Sequence, residues 1–280
     1  MQNKLTLGKI WRSSAQMRIG LILLALVVLC AIFAPLMEPY DPYKLGDDLK
    51  AAPCASHLMG TDAKGRDVFS MILEGARTSL MVGVLAALIS GVVGTLVGGA
   101  AGYLGGRVDA WISEIINIFL MLPTFFLVMI VVALFGSSMM NVMLIIGLTS
   151  WPGNARLMRV QAMSIKERTY VKSAIALGES RLSVLFRYVI PNGIFPVITN
   201  TAMGIAGAIL TEAGLSFLGL GDPNVISWGQ MVYDGRGTMT SSWWVATFAG
   251  LAIVVTVLGV YLTCDGVNRV LDPKKNAAKG

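Results

Sequence analysis

The sequence predicts an all-α polytopic membrane protein, and three observations carry that class. Of 280 residues, 55% are hydrophobic and 14% charged, against about 25% charged in soluble domains. That composition gives a mean hydropathy of +0.70. Several apolar runs reach the roughly 20 residues that cross a bilayer as a helix. Finally, lysine and arginine gather in alternate segments between those runs.

The spans follow in order. Residues 1–18 are polar, with Lys4, Lys9, Arg12 and Arg18, and the first uncharged run is Ile19 to Met37. It exceeds the roughly 7–15 apolar residues of a signal peptide. Val27-Val28-Leu29-Cys30 lacks the small residue that a lipoprotein cleavage site places before its cysteine, so the expectation is an uncleaved first span. Residues 38–78 form a turn-rich external loop with seven acids and five Lys/Arg. The second span is Leu80 to Leu104. Gly83, Ala87 and Gly91, then Gly94, Gly98 and Gly102, repeat at four-residue spacing, a ridge that lets helix backbones approach closely. After a turn at Arg107 and Asp109, the third span runs from Trp111 to Phe135. Glu114 and Asn117 lie near its interface end, and Pro123 kinks its middle. The fourth begins at Met139 to Trp151 and continues past Asn154. The fifth runs from about Ile194 to Leu220, and the sixth from Trp243 to Thr263.

Six spans place both termini and the 152–193 loop on one side. That side holds four Lys/Arg in the N-terminal segment, Arg107, seven in the loop and four in the tail, against five in 38–78 and Arg236 on the other. The positive-inside bias assigns the richer side to the cytoplasm. It also accounts for the net charge of +6 without nucleic acid. Cys30, Cys54 and Cys264 are expected as free thiols. The single histidine, His57, lies outside the spans and leaves no histidine for a metal or acid–base site within the membrane. The 16 methionines read as adaptable apolar packing.

The central loop stands out as structured. Thr169 to Leu177 reads as a helix with Tyr170, Ala174 and Leu177 on one face and Val171 and Ile175 beside them. Gly178 is its C-cap. Ser180 N-caps a second helix, along which Leu182, Leu185, Phe186 and Val189 recur, and Pro191 ends it. The expectation is a hairpin whose apolar stripe packs under the bundle. Lys172, Ser173 and Ala176 then face a partner.

This segment resembles the E-A-A-x3-G-x9-I-x-L-P signature of permease subunits in ABC importers. It reads Lys172-Ser173-Ala174, three residues, Gly178, nine residues, then Tyr188-Val189-Ile190-Pro191. Lys172 replaces the signature's Glu and Ser173 its first Ala. Pro39-Tyr40-Asp41-Pro42, the run Gly60-Thr61-Asp62-Ala63-Lys64-Gly65-Arg66-Asp67-Val68-Phe69-Ser70, and Gly75-Ala76-Arg77-Thr78-Ser79-Leu80 look like the dipeptide/oligopeptide/nickel permease family, C-type subunit. So do Glu212-Ala213-Gly214-Leu215-Ser216-Phe217-Leu218-Gly219-Leu220-Gly221 and Leu271-Asp272-Pro273.

The resemblance implies a type I ABC permease bundle of six transmembrane helices with a cytoplasmic coupling hairpin. Residues 1–76 would carry the extra first span and the external loop, 77–268 the transmembrane domain, and 269–280 a cytoplasmic tail. The chain would sit in a bacterial or archaeal inner membrane with both termini cytoplasmic. Its partners would be a second permease subunit, two ABC ATPase subunits, an external substrate-binding protein and the lipid bilayer. ATP and Mg would be bound by the ATPases and no cofactor by this chain. The ATPase-coupling residues would be Tyr170, Val171, Lys172, Ser173, Ala174, Ile175, Ala176, Leu177, Gly178 and Pro191. Di- or oligopeptides are the leading substrates, with nickel chelates, opines or small saccharides as alternatives.

The residues themselves support that division of labour. No G-x-x-x-x-G-K-[ST] phosphate loop occurs, so the energy has to come from a partner. Glu212, with Ser216, is either a pathway group or a structural one near the outer gate. Pro123 shapes a pore helix or serves packing. The loop from Gly60 to Asp67 either contacts the binding protein or braces the bundle. A secondary transporter would need ion-coupling residues at the midplane, where the spans carry none, and an intramembrane serine hydrolase would need the histidine they lack.

Overall fold

A computed structural model describes residues 15–271. The described residues form helices numbered α1 to α10: α1 (Ala15–Met37), α2 (Val68–Leu104), α3 (Gly106–Met121), α4 (Thr124–Phe135), α5 (Met139–Lys166), α6 (Thr169–Ala176), α7 (Arg181–Gly193, with a π turn over Leu185–Val189), α8 (Phe195–Phe217), α9 (Trp228–Arg236) and α10 (Trp244–Leu271). They contain no strand, only one isolated bridge between Thr61 and Asp67. The basic residues expected at Lys4, Lys9, Arg12, Lys274, Lys275 and Lys279, and the Asp272-Pro273 pair, lie outside the described residues.

Among the described residues α1, α2 and α10 are each long and apolar enough to cross a membrane. The pairs α3–α4 and α7–α8 qualify if each bent pair counts as one span, which gives three spans, or five. The expected count of six would include α5. Its 28 residues suffice in length, but Asn154, Arg156, Arg159 and Lys166 make its second half polar.

Two expected boundaries change. Helix α2 starts at Val68, so the expected loop over 38–78 ends at Asp67. The cause is a local cap: one Asp67 carboxylate oxygen accepts from the Ser70 backbone N–H and hydroxyl, both at 2.8 Å, satisfying donors that a helix start leaves open. At 37 residues α2 is about 55 Å long. Pro123 also does more than kink a span. Leu122 and Pro123 are both extended, as sterics favour for the residue before a proline, and α3 and α4 meet at 86°.

The helices group into two compact units. Among the described residues one comprises residues 15–83, Ser137–Met139 and residues 205–271; the other comprises Val84–Gly136 and Met140–Gly204.

In the first unit α1 lies along α10 at close range. A Cβ on Gly20 would come within 2.7 Å of the Thr263 nitrogen, and one on Gly266 within 2.5 Å of Met17 Cβ. Trp228 and Trp244 fill the core with Met71, Ile209 and Met231. Each indole also finds an acceptor, as buried tryptophans require: Trp228 Nε1 donates to the Ile72 carbonyl and Trp244 Nε1 to the Thr61 carbonyl, both at 3.0 Å.

In the second unit the glycine ridges of α2 act as packing faces. Gly91 lies against Thr201 of α8, while Gly94, Gly98 and Gly102 lie against Asn154, Ala155 and Arg159 of α5. A side chain at Gly98 would meet the Ala155 carbonyl, a backbone atom that cannot swing aside. Gly98→Leu is therefore expected to cost roughly 1–3 kcal/mol or more and to lower the yield of folded protein in a fluorescence size-exclusion assay. Gly237→Leu, at an open position, should not.

A polar chain crosses the same unit. Asn154, 3% exposed, donates to the Ser90 hydroxyl at 3.0 Å and accepts from the Asn200 amide at 2.9 Å. It thereby joins α2, α5 and α8 by the interhelical bonds that stabilise apolar bundles. At the end of α5, Arg159 grips the Asp109 carboxylate through two nitrogens, one at 2.7 Å. Lys166 Nζ donates to the Gly102 carbonyl at 3.0 Å. These bonds fix the point from which the chain enters the central loop.

Candidate functional site

The central loop forms a helical hairpin with its own core. Helix α6 ends in two bonds: the Gly178 N–H to the Ile175 carbonyl at 3.0 Å, and the Glu179 N–H to the Ala174 carbonyl at 3.2 Å. This pair defines a Schellman stop, and Gly178 takes the left-handed φ of +86° that the stop requires. Ser180 then caps α7, its hydroxyl accepting from the Ser183 N–H at 3.2 Å. Both the glycine stop and the serine start agree with the sequence reading.

The packing face and the end of the second helix do not. The buried residues are Val171 and Ala174 of α6 and Val184, Leu185 and Val189 of α7, packed with Met158, Ala162 and Ile165 of α5. Tyr170 and Leu177, expected on the packed face with Ala174, point outward, as does Ile175. Leu177 is 85% exposed, and Leu182 and Phe186 are exposed as well. Apolar residues occur all around this short helix, so periodicity alone could not decide which side is covered.

Pro191 does not end the second helix, which continues to Gly193. The π turn over Leu185–Val189 precedes it, and the Ile190 N–H reaches back five residues to the Leu185 carbonyl. This widened turn accommodates a ring that would otherwise collide with the preceding turn.

Sequence reasoning missed one organiser, Glu179. Its carboxylate accepts from the Tyr188 hydroxyl at 2.6 Å and the Ser183 hydroxyl at 2.8 Å. These two bonds, Tyr188 first, hold it below the usual carboxylate range. The four-residue spacing from Glu179 to Ser183 was legible as one turn of helix; the Tyr188 partner was not. Lys172, which stands where the signature has Glu, pairs with Glu167 at 2.9 Å with both side chains exposed. Its hydrogen bond and charge draw the Glu167 carboxyl down. Such a surface pair contributes little stability, which leaves the Lys172 stem available on the outer face beside Ser173 and Ala176, also exposed.

Glu212 and Ser216 are brought together in a second cluster. One Glu212 oxygen accepts from the hydroxyls of Ser216 and Ser227, each at 2.7 Å. The other is buried with no hydrogen-bond partner among the described residues. Ser227 in turn caps α9, accepting from the Gln230 N–H at 3.1 Å. The carboxyl therefore ties α8 to the start of α9, with Gly229 close enough that a Cβ would lie 3.1 Å from it. The Ser-x-x-Gln spacing of Ser227 and Gln230 is a capping signature that the sequence did offer. The glycines of the same motif end α8: Gly219 has φ +82°, and the Leu220 N–H bonds the Leu215 carbonyl at 2.9 Å.

The loop from Gly60 to Asp67 braces the first unit. Asp62 accepts from the backbone N–H groups of Lys64 and Arg66 at 2.8 and 2.9 Å and from Arg66 Nε at 2.7 Å. His57 contacts Asp67 through Nδ1 at 2.9 Å. Pro123 belongs to neither cluster; it serves the α3–α4 break.

The family described as "binding-protein-dependent transport system inner membrane component" matches residues 94–277. The chain belongs to this family. A second pattern, the N-terminal transmembrane domain of oligopeptide transport permease C, matches residues 17–53. Among similar proteins, the dipeptide transport system permease protein DppC of Escherichia coli K12 is 41% identical, with 91% of this chain and 88% of the relative covered. The probable D,D-dipeptide transport system permease protein DdpC of the same organism is 38% identical, over 90% and 86%. The glutathione transport system permease protein GsiD of Shigella flexneri is 40% identical, over 89% and 83%. In fold, a chain of the inward-facing MetNI methionine ABC transporter superposes with a TM-score of 0.57 at 15% identity, covering 71% of this chain and 95% of that one. The permease is thus a multi-pass, non-catalytic inner-membrane subunit of an ATP-driven importer, with a type I bundle in its fold.

Proposed function

We propose that this permease forms half of a heterodimeric pore for di- or oligopeptides and couples to two cytoplasmic ATPases through residues 169–191. The observation that carries the coupling is the hairpin itself. It is packed on α5 by one face, stopped at Gly178, and left with Tyr170, Ile175 and Leu177 exposed on the other. Exposed apolar side chains on an ordered loop mark a protein contact, and a packed hairpin moves as a unit when its partner moves. Tyr170, Val171, Lys172, Ser173, Ala174, Ile175, Ala176, Leu177, Gly178 and Pro191 form this coupling element: Val171 and Ala174 anchor it, and the exposed members meet the ATPase. The peptide assignment rests on the identity with peptide permeases along nearly the whole chain.

In this reading α1, α2, the broken pair α3–α4, α5, α8 and α10 make six spans, and both termini are cytoplasmic. Residues 1–76 add a span and an external segment, 77–268 form the transmembrane domain and 269–280 the tail. An external binding protein delivers the substrate. ATP and Mg bind in the ATPases. Pro123, Glu212 and Ser216 shape the pathway and gate indirectly: Pro123 bends the α3–α4 pair, and Glu212 with Ser216 holds α9.

The test is uptake of a labelled dipeptide by proteoliposomes carrying the permease, its partner permease, both ATPases and the binding protein. Disabling ATP hydrolysis should abolish uptake, and excess unlabelled dipeptide, but not a nickel chelate, should compete. Uptake that persists without ATP hydrolysis would overturn the importer reading; competition by the chelate alone would overturn the peptide assignment.

A further inference from the structure

The first unit contains a cavity of about 230 Å3 between the segment before α2 and the start of α9, bordered by Tyr43, Arg66, Asn224, Gln230 and Asp234. It plays no part in the coupling hairpin or the Glu212 cluster. Arg66 and Asp234 are the charged residues of its lining. The Arg66 guanidinium is already neutralised: Asp62, its side chain 5% exposed, accepts from Nε and Nη2, both at 2.7 Å. Among the described residues, Asp234 receives two longer bonds, from Arg66 Nη2 and Gln230 Nε2, both at 3.2 Å. Its side chain remains 26% exposed against 11% for Arg66. One carboxylate is therefore in surplus, and it faces a cavity rather than bulk solvent.

We propose that this cavity receives a cationic side chain, lysine or arginine, of the external binding protein. This rests on the importer reading above, which puts this end of the unit outside the membrane. Charge complementarity favours a cation: Asp62, Asp234 and Arg66 sum to one net negative charge, and a second cation would meet the under-bonded Asp234 oxygens. Size favours a side chain over a whole substrate, because ligand pockets typically enclose about 300–1,000 Å3 and this cavity is smaller. The Tyr43 ring, 47% exposed, adds an aromatic wall against which an alkyl stem or guanidinium can lie.

The test is stimulation of ATP hydrolysis by the importer's own binding protein, titrated onto the complete transporter in nanodiscs. Asp234→Asn keeps an acceptor for Gln230 and removes the charge. Asn224→Lys places a competing ammonium at the rim without touching the Arg66–Asp62 pair. Both should raise the half-saturating concentration of binding protein by roughly tenfold, with the rate at saturation retained. One Lys→Asp or Arg→Asp substitution in the binding protein should be rescued by Asp234→Lys. Half-saturation within twofold of wild type in both variants overturns the proposal. So does a shift in the half-saturating substrate concentration at fixed excess binding protein, which would assign the cavity to the substrate's own ammonium. If binding protein does not stimulate even the wild-type transporter, the importer reading fails first and the docking site with it.

Discussion

Gly178→Val is expected to cut peptide uptake sharply while ATP hydrolysis in the assembled transporter continues. Gly178 sits at φ +86°, where an L-residue costs roughly 1–2 kcal/mol and a β-branched side chain more. Open space surrounds the position, so the effect is backbone strain, not collision. The least costly relief is to give up the two bonds that stop α6, from Gly178 and Glu179 to Ile175 and Ala174. That frees the end of an eight-residue helix held by only two buried side chains, Val171 and Ala174, while the spans keep their packing. A hairpin that no longer turns at a fixed angle cannot transmit a rigid displacement. Uptake should fall by roughly tenfold or more, since 1.4 kcal/mol is a factor of ten, with residual hydrolysis and an unchanged gel-filtration profile. Gly178→Asn, which tolerates the left-handed region, should retain most of the uptake. Equal uptake in Val and wild type would remove Gly178 from the coupling path.

What the sequence disclosed about this site was its local chemistry. The glycine stop and the serine cap are decided within a few residues, and both stand in the structure as read. The covered face of α6 was not disclosed, because apolar side chains occur on both sides of this short helix, some buried and some exposed. Tyr170 and Leu177 then have the same periodicity as a core stripe. Pro191 misled for a related reason. A proline halts a helix that keeps a four-residue hydrogen-bond register, and the π turn before it leaves that register.

Among the described residues three spans, or five if each bent pair counts as one, were legible from uncharged runs, because the bilayer acts as a solvent on about 20 residues at a time. The start of α2 was not, since Asp67 and Ser70 extend the helix beyond the apolar run by a cap that carries no hydrophobic signal. The abrupt 86° bend was half legible. Proline at position 123 implied disruption, but how far the second helix swings is set by what each half packs against. Arg159 with Asp109, and Asn154 with Ser90 and Asn200, were invisible in sequence because their partners lie 46 or more positions apart.

The second large effect concerns Glu212, and here two substitutions separate the two roles the sequence left open. Glu212→Ala removes the acceptor shared by Ser216 and Ser227 and leaves two buried hydroxyls with one partner fewer. Each unsatisfied buried donor costs about 1–3 kcal/mol, and the vacated volume adds a packing loss. The α8–α9 tie then keeps, among the described residues, the bond from Arg236 Nη1 to the Phe217 carbonyl at 2.7 Å, and Ser227 can still cap α9. A lowered melting temperature of the purified transporter in detergent is expected, together with a change in Trp228 emission, because Trp228 adjoins Ser227 and donates its backbone N–H to Ser79 at 3.1 Å. Glu212→Gln keeps an oxygen in place of the accepting one and is uncharged. A structural tie needs that oxygen and not the charge, so Gln should retain both stability and uptake. A pathway carboxylate would behave in the opposite way, with Gln folding normally but failing to transport. The geometry favours the tie: the accepting oxygen is already occupied by two hydroxyls on the same chain, and the side chain is 2% exposed. A passing peptide would have to displace α9 to reach it.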